Sequence, residues 1–192
     1  MKIIGLTGPS GSGKSTIGKA AEKLGYFVID CDKVARQVSD ENEILQKLES
    51  TFKGVLINGK LNRKELANKA FSSKENTEKL NRIMLPAVTE KIMKITEEQK
   101  LLGTERVLLD APTLFESGLD KICISTIAVL SNIENRKERI LRRDSLTESQ
   151  LKSRLNAAKP DEFYTLKAGY IIYNNDSLEN AEKSAEEILK NF

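Results

Sequence analysis

The residues with the clearest capacity for chemistry form a glycine-rich segment near the amino terminus. The segment reads Gly8-Pro9-Ser10-Gly11-Ser12-Gly13-Lys14-Ser15 and matches the pattern G-x-x-x-x-G-K-[ST]. Its glycines allow successive backbone N–H groups to converge on an anion, and the dipole of a following helix adds positive potential. Residues 8–15 are therefore predicted to be a phosphate loop, with Lys14 at the β- and γ-phosphates of a nucleotide and the Ser15 hydroxyl on Mg²⁺.

Acidic residues stand at the ends of two apolar runs. Asp32 follows the run Tyr26–Ile29, and Asp110 ends the run Val107–Leu109. Because ligands bind at the carboxyl ends of parallel strands, Asp32 is a candidate for orienting or deprotonating an acceptor hydroxyl, and Asp110 for holding a metal through water or orienting the acceptor. A helix cap at Asp32 and a cap or turn at Asp110 before Pro112 are the simpler alternatives.

A third candidate group is a basic stretch with helical character. Arg136, Arg139 and Arg143 recur at i, i+3 and i+7, so they share one helix face. Guanidinium groups on that face can close over a transferred phosphate, which predicts a lid. Lys137 and Arg142, in contrast, are expected on a solvated face.

The composition excludes several classes of function. The chain has 192 residues and no histidine, so histidine-ligated zinc and serine-histidine triads are excluded, and a general base must be a carboxylate, lysine, cysteine or tyrosine. A net charge of +3 does not predict a nucleic-acid partner, and no feature predicts an obligate protein partner. Without a long apolar run, a secretory signal or a CxxC pair, we expect a cytoplasmic protein with no membrane association and no structural disulfide.

These residues need a parallel sheet to position them, and the sequence predicts one. Apolar runs predict strands at residues 2–6, 26–29, 106–110, 122–130 and 170–173. Helical spacing follows the phosphate loop, fills most of residues 33–102 and returns after Ser177. Interruptions are predicted at Asn58-Gly59, Ser72-Ser73 and Pro86.

The fold class predicted from this order is α/β, of the phosphate-loop NTPase or kinase type. It has a mostly parallel central sheet flanked by helices, with a helical substrate-binding insertion and a lid. Within one chain, the core covers about residues 1–32, 103–135 and 168–192, the helical substrate-binding region about 33–102, and the lid about 136–160.

A phosphate loop alone leaves kinases, GTPases and motor-like ATPases open. A GTPase usually carries N-K-x-D, and Asn68-Lys69-Ala70-Phe71 lacks the aspartate, while nucleotide-hydrolysing machines are usually larger. The short chain and Asp32 therefore favour a kinase. Two alternatives stay open: another small-molecule or nucleoside monophosphate kinase of the same fold, and a nucleotide-binding regulatory switch without acceptor chemistry.

Three segments of the sequence resemble the dephospho-CoA kinases, and the similarity runs along nearly the whole chain. The segments are Gly5–Ser15, Val28–Arg36 and Asp110–Leu119. The resemblance implies ATP-dependent phosphorylation of the ribose 3′-hydroxyl of dephospho-CoA, with Mg²⁺ as the metal, to give coenzyme A and ADP.

Carried onto this sequence, the resemblance also implies roles for individual residues. Asp32 is the catalytic base, Lys14 and Ser15 contact the phosphates and Mg²⁺, and Arg139 is a catalytic arginine of the lid. The predicted ATP-binding residues are Gly8, Gly11, Ser12, Gly13, Lys14, Ser15, Thr16 and Arg143. The predicted substrate-binding residues are Asp32, Arg36, Asp110, Leu114 and Phe115.

The sequence departs from the usual residues of that family at several positions. Asn62 and Gly169 stand where aspartate is usual, Leu85 where histidine is usual and Ala158 where glutamine is usual. These positions resemble substrate-domain and lid positions, so they bear on acceptor and adenine contacts. Pro9 replaces a glycine of the usual loop, which requires only a backbone φ near −65°.

Overall fold

The computed structural model describes residues 1–144, 146–156 and 158–192, and these residues form seven strands and nine α-helices. In chain order the strands are β1 (Lys2–Thr7), β2 (Phe27–Asp30), β3 (Leu56–Ile57), β4 (Lys60–Leu61), β5 (Arg106–Asp110), β6 (Ser125–Leu130) and β7 (Tyr170–Tyr173). The helices are α1 (Lys14–Lys23), α2 (Cys31–Val38), α3 (Asn42–Phe52), α4 (Arg63–Ala70), α5 (Lys74–Leu101), α6 (Ile133–Arg143), α7 (Glu148–Asn156), α8 (Asp161–Thr165) and α9 (Leu178–Leu189).

Five strands form one parallel sheet in the order β2-β5-β1-β6-β7. The inner strands β5, β1 and β6 are buried almost throughout, as expected for apolar runs with helices on both faces of a parallel sheet. The predicted α/β class with a parallel central sheet is confirmed. Because all five strands are parallel, β1, β2 and β5 end at the same edge of the sheet, where the phosphate loop begins.

Helices α1 and α9 pack on one face of this sheet. Ile17 and Ala21 of α1 and Ala185 and Leu189 of α9 are buried in one cluster with strand residues such as Ile127. Burial of an aliphatic side chain of the size of Ile17 or Leu189 contributes about 1.5–3 kcal/mol. This packing holds α1, and therefore the end of the phosphate loop, against the sheet.

The chain divides into two compact units. The first consists of Met1–Asp30 and Gln99–Phe192 and contains the parallel sheet, and the second consists of Cys31–Glu98. In the second unit, the Asn62 side chain accepts a hydrogen bond of 3.1 Å from the Glu65 N–H and so caps α4, as its position before a helical run predicts. The boundaries of a substrate-binding region and a lid stay predictions.

One predicted strand start is wrong, and the interruption predicted at Asn58-Gly59 is confirmed. The apolar run that begins at Ile122 is not all strand, because Leu119–Ile122 forms a 3₁₀ helix and β6 begins only at Ser125. The interruption at Asn58-Gly59 is the turn of a small antiparallel hairpin between β3 and β4, in which both turn residues have positive φ, 50° and 74°. Short apolar runs do not distinguish a helical turn from a strand.

The predicted interruption at Pro86 is wrong, because α5 continues through it from Lys74 to Leu101. A proline inside a helix removes one N–H and costs about 3 kcal/mol, which the burial of Ile92 and Thr96 further along the helix helps to offset. At 28 residues α5 has the length of a membrane span, but no helix in the described part of the chain is both long and apolar enough to be one.

Candidate active site

The phosphate loop lies between the end of β1 and the start of α1, and its glycines are required by close contacts. Gly11 and Gly13 have φ values of 80° and 103°, a region that favours glycine. A Cβ atom on Gly11 would lie 2.6 Å from the Arg136 carbonyl oxygen, and one on Gly13 would lie 2.1 Å from Asn174 Nδ2. The loop is therefore packed directly against α6 and against the segment that follows β7.

Three consecutive carbonyl groups of the loop accept hydrogen bonds from side chains outside it; they belong to Ser10, Gly11 and Ser12. Arg136 Nε donates to the first at 3.0 Å, and Arg139 Nη1 lies 3.4 and 3.3 Å from the second and third. In a trans peptide the N–H points opposite to the C=O. The N–H groups of Gly11 and Gly13 consequently point away from these arginines, as a phosphate-binding backbone requires.

Lys14 and Ser15 occupy the first turn of α1. Lys14 Nζ donates to the carbonyl oxygens of Gly8 at 2.8 Å and Pro9 at 3.4 Å, so the ammonium group lies over the loop backbone. Ser15 is exposed. The N-cap residue is Gly13, which has no side chain to cap the helix, and the amino-terminal end of a helix carries partial positive charge. This end of α1 therefore offers donors and positive potential to an anion.

Of the three arginines predicted to share one face of α6, Arg136 and Arg139 contact loop carbonyls, whereas Arg143 pairs with Asp144. Arg136 is buried and Arg139 half-buried beside the loop, and burial lowers the pKa of each guanidinium below its usual value. Arg143 is exposed and its guanidinium donates to both carboxylate oxygens of Asp144, at 3.1 and 2.9 Å. The solvated face predicted for Arg142 is confirmed by its exposed ion pair with Glu138.

Two carboxylates stand at the carboxyl edge of the sheet near the loop. Asp30 ends β2 and Asp110 ends β5, and the two residues are directly in register. Asp110 is also in register with Leu6 of β1, immediately before the loop. The residues Asp32 and Arg36 belong to the first and last turns of α2, in the second unit.

The segment after β5 contains two predicted substrate-binding residues with different surroundings. Leu114 is fully buried, and its Cδ2 atom lies 2.6 Å from where a Cβ on Gly5 would stand. A side chain enclosed in this way packs the core, and a substrate contact by Leu114 stays a prediction. Phe115 packs edge-on against Phe163 with ring centroids 5.9 Å apart, and Lys167 Nζ lies 5.8 Å from the Phe115 centroid.

Asn174 and Ser131 lie beside the phosphate loop and Arg139, and neither was predicted from the sequence. Asn174 follows β7, is buried, and its Nδ2 donates to the Ser12 carbonyl at 2.8 Å. Ser131 follows β6, and its hydroxyl donates to the Asn174 carbonyl at 2.7 Å. Their position directly after apolar strands is a sequence signal for residues near a binding site. Polar residues are common in loops, however, so the signal does not single these two out.

Comparisons with known proteins give consistent matches. The model of the dephospho-CoA kinase family matches residues 2–180. A dephospho-CoA kinase of Fusobacterium nucleatum is 36% identical over 187 residues, which cover 96% of this chain and 95% of the relative. A crystal structure of a Thermus thermophilus protein is similar with a TM-score of 0.82 and 31% identity, covering 100% of this chain and 97% of that one. A dephospho-CoA kinase structure from Campylobacter jejuni has a TM-score of 0.64 and 25% identity, with 99% and 96% covered.

Proposed function

The chain belongs to the dephospho-CoA kinase family, and on that premise we propose that it transfers the γ-phosphoryl group of ATP to the ribose 3′-hydroxyl of dephospho-CoA, giving coenzyme A and ADP. The observation that carries the proposal is the family match over residues 2–180. The phosphate loop supports it independently, since its carbonyl groups face α6 and its helix end offers N–H donors.

The ATP phosphates are held mainly by backbone groups in this proposal. The residues that supply these contacts are Gly8, Gly11, Ser12, Gly13, Lys14, Ser15 and Thr16. The Lys14 ammonium lies beside the Gly8 and Pro9 carbonyls. In the reaction it stabilises the negative charge that develops on the β- and γ-phosphate oxygens. Phosphoryl transfer depends mostly on such positioning and charge stabilisation.

The oxygen donors near the loop fit Mg²⁺. The Ser15 hydroxyl stands at the start of α1, and the carboxylates of Asp30 and Asp110 stand in register on neighbouring strands. Mg²⁺ prefers oxygen ligands and usually takes few from the protein. Ser15 would bind the ion directly and the carboxylates through water. Held by these residues, Mg²⁺ would supply positive charge to the phosphates during transfer.

Asp32 is the residue to which we assign the general-base role. It follows the end of β2 at the start of α2, and the chain has no histidine that could take the proton. Its carboxylate accepts the proton of the acceptor hydroxyl and orients the oxygen for in-line attack. Arg36, one turn further along α2, supplies positive charge for the anionic part of the acceptor. Asp110, Leu114 and Phe115 are the other substrate-binding residues that the family resemblance implies.

Arg139 has enough donors for two tasks. A guanidinium carries five N–H donors in a rigid fork, and Arg139 uses Nη1 and Nη2 on the loop, Ser131 and Asn174. Nη1 lies near three acceptors and Nη2 near two, so the Nε–H is the donor that we assign to the transferred phosphoryl group. Arg143, which pairs with Asp144 in this structure, would have to leave that carboxylate to contact ATP.

The cytoplasm is the compartment we assign to the reaction. Cys31 and Cys123 are not joined in a disulfide, and Cys31 is buried. Burial also raises the pKa of the Cys123 thiol to about 12, with a smaller contribution from Asp120. Thiols kept reduced and unreactive in this way suit a reducing compartment.

An acceptor panel tests the proposed function. ADP release by the purified chain is measured with Mg-ATP and, in turn, dephospho-CoA, adenosine, AMP and CMP. We expect kcat/KM for dephospho-CoA to exceed that of every other acceptor by about 100-fold or more, because the buried polar groups of a site reject acceptors that leave them unpaired. Transfer to AMP or CMP with dephospho-CoA inert would mean a different kinase. Slow ATP hydrolysis that no acceptor stimulates would mean a nucleotide switch.

A further inference from the structure

The segment that follows the last strand of the sheet contains an almost fully buried polar side chain beside the phosphate loop. Asn174 comes directly after β7 and is 1% exposed. Its backbone N–H donates to the Leu130 carbonyl at 2.8 Å, which continues the pairing of β6 with β7 by one residue. The sheet itself therefore fixes the position from which the side chain extends.

The Asn174 side chain bridges two parts of the site. Its Nδ2 donates to the Ser12 carbonyl at 2.8 Å, and its Oδ1 accepts from Arg139 Nη2 at 3.2 Å. The same Arg139 Nη2 lies 3.1 Å from the Asn174 carbonyl oxygen, which also accepts from the Ser131 hydroxyl at 2.7 Å. Donor and acceptor atoms of the amide are both used, as a buried polar group requires.

The contact with the loop is also steric. A Cβ on Gly13 would lie 2.1 Å from Asn174 Nδ2, so the side chain lies against the peptide that joins Ser12 to Gly13. The carbonyl of that peptide points at Asn174 and its N–H points the other way. Arg139 Nη1 contacts the same carbonyl at 3.3 Å, so Asn174 and Arg139 together determine how this peptide is rotated.

We propose that Asn174 is a positioning residue for the phosphate loop. By holding the Ser12 carbonyl and the Arg139 guanidinium at once, it keeps the Gly13 N–H directed at the phosphates of the nucleotide and keeps Arg139 beside the loop. The inference rests on the proposed function in taking ATP as the nucleotide. The role concerns ATP, the phosphoryl donor, so substitution of Asn174 should leave KM for the acceptor nearly unchanged.

The test compares two variants of Asn174 with a matched control. Asn174→Ala removes the amide, and Asn174→Asp keeps its shape while replacing the Nδ2 donor by an oxygen. Asn175→Ala is the control, because Asn175 is exposed and contacts only the start of α6, through Asn132 and Asn135, in the hydrogen bonds described. We expect both Asn174 variants to raise KM for ATP and the Kd of ADP by about tenfold and to lower kcat by a similar factor, while KM for dephospho-CoA changes by less than about twofold. The control should resemble the wild type.

The same experiment separates positioning from a role in folding alone. If Asn174 served only stability, the variants would unfold at lower temperature and lose kcat in proportion to the inactive fraction, with KM for ATP and the Kd of ADP unchanged. That result, or a wild-type KM for ATP in Asn174→Asp, would overturn the proposal. The calorimetric Kd of ADP needs no acceptor. A wild-type chain that fails to phosphorylate dephospho-CoA would therefore count against the proposed function while leaving this inference testable.

Discussion

Lys14 is the residue whose removal should affect the reaction most while affecting the fold least. Its ammonium group donates to the Gly8 and Pro9 carbonyls of its own loop. We expect Lys14→Ala to lower kcat for phosphoryl transfer by about 100-fold or more, since charge developing on the phosphate oxygens loses its nearest cation. The measurement is kcat beside the thermal unfolding midpoint. Lys19→Ala, an exposed lysine of the same helix, is the control and should keep wild-type kcat; normal turnover in a folded Lys14→Ala protein would refute the assignment.

Arg139 differs from the other arginines of α6 in the number of acceptors that it contacts. Its guanidinium reaches loop carbonyls, Ser131 and Asn174, and lysine cannot reproduce this planar fork of donors. We expect Arg139→Lys to lower kcat/KM for ATP by about 10–100-fold. Arg142→Lys, which changes an exposed arginine paired with Glu138, should leave it unchanged. Equal values in the two variants would mean that Arg139 packs beside the loop without acting on the transferred phosphoryl group.

Asp32 is the residue on which the proposed chemistry depends. Asp32→Asn keeps the size of the side chain but removes the basic oxygen, and loss of a general base typically costs about 10²–10⁴ in rate. ATP affinity, measured by calorimetry, should change little because the phosphates are held by the loop. Asp110→Asn is the comparison variant. If Asp32→Asn keeps most of kcat while Asp110→Asn loses it, Asp110 has the acceptor role.

At the scale of elements, the short helix α8 contains one buried tyrosine, Tyr164. This side chain makes the free energy of unfolding depend on pH. Burial, with a smaller effect of Glu116, raises the pKa of Tyr164 to about 12 from its usual value of 10. The unfolded chain therefore loses this proton before the folded chain does, so the stabilisation is complete below pH 10 and is lost as pH rises toward 12. The loss should reach about 2–3 kcal/mol across that interval.

The prediction is checked by urea unfolding from pH 9 to pH 12. Tyr164→Phe should remove this part of the decline in the free energy of unfolding, so that its curve is flatter than that of the wild type above pH 10. Tyr173→Phe is the control, because Tyr173 is exposed, and it should follow the wild-type curve. A Tyr164→Phe curve parallel to the wild type above pH 10 would contradict the assignment.

Prediction of the elements succeeded where local signals were strong. The run Val107–Leu109 ended by Asp110 identified β5 with its correct bounds. At the start of α7, Thr147 and Gln150 each hydrogen-bond the backbone of the other, the capping pattern that local sequence can indicate. Prediction failed at Pro86, where the helix continues, and before Ser125, where the strand begins later than predicted. At both places local helix, turn and strand conformations are similar in energy, and tertiary burial decides between them. The helix α8 is too short to show a hydrophobic period.

At the scale of the whole molecule, the strand order and the contacts around the loop could not be read from the sequence. Nothing local says that β5 lies between β1 and β2, although that placement brings Asp110 into register with Asp30. The Ser12–Asn174 hydrogen bond joins residues 162 positions apart. The motif predicted which residues form the phosphate loop, whereas the residues that hold its carbonyls come from elements far along the chain.

The central claim, that the ribose 3′-hydroxyl of dephospho-CoA receives the phosphoryl group, is tested most directly by the structure of the product. Purified protein is incubated with Mg-ATP and dephospho-CoA, with Lys14→Ala protein as the control, and the product is analysed by mass spectrometry and ³¹P NMR. We expect a product heavier by one phosphoryl group, with a new phosphate monoester resonance coupled to the ribose H3′, and none with the control. ADP formation with dephospho-CoA recovered unchanged, or a phosphate at another hydroxyl, would contradict the claim.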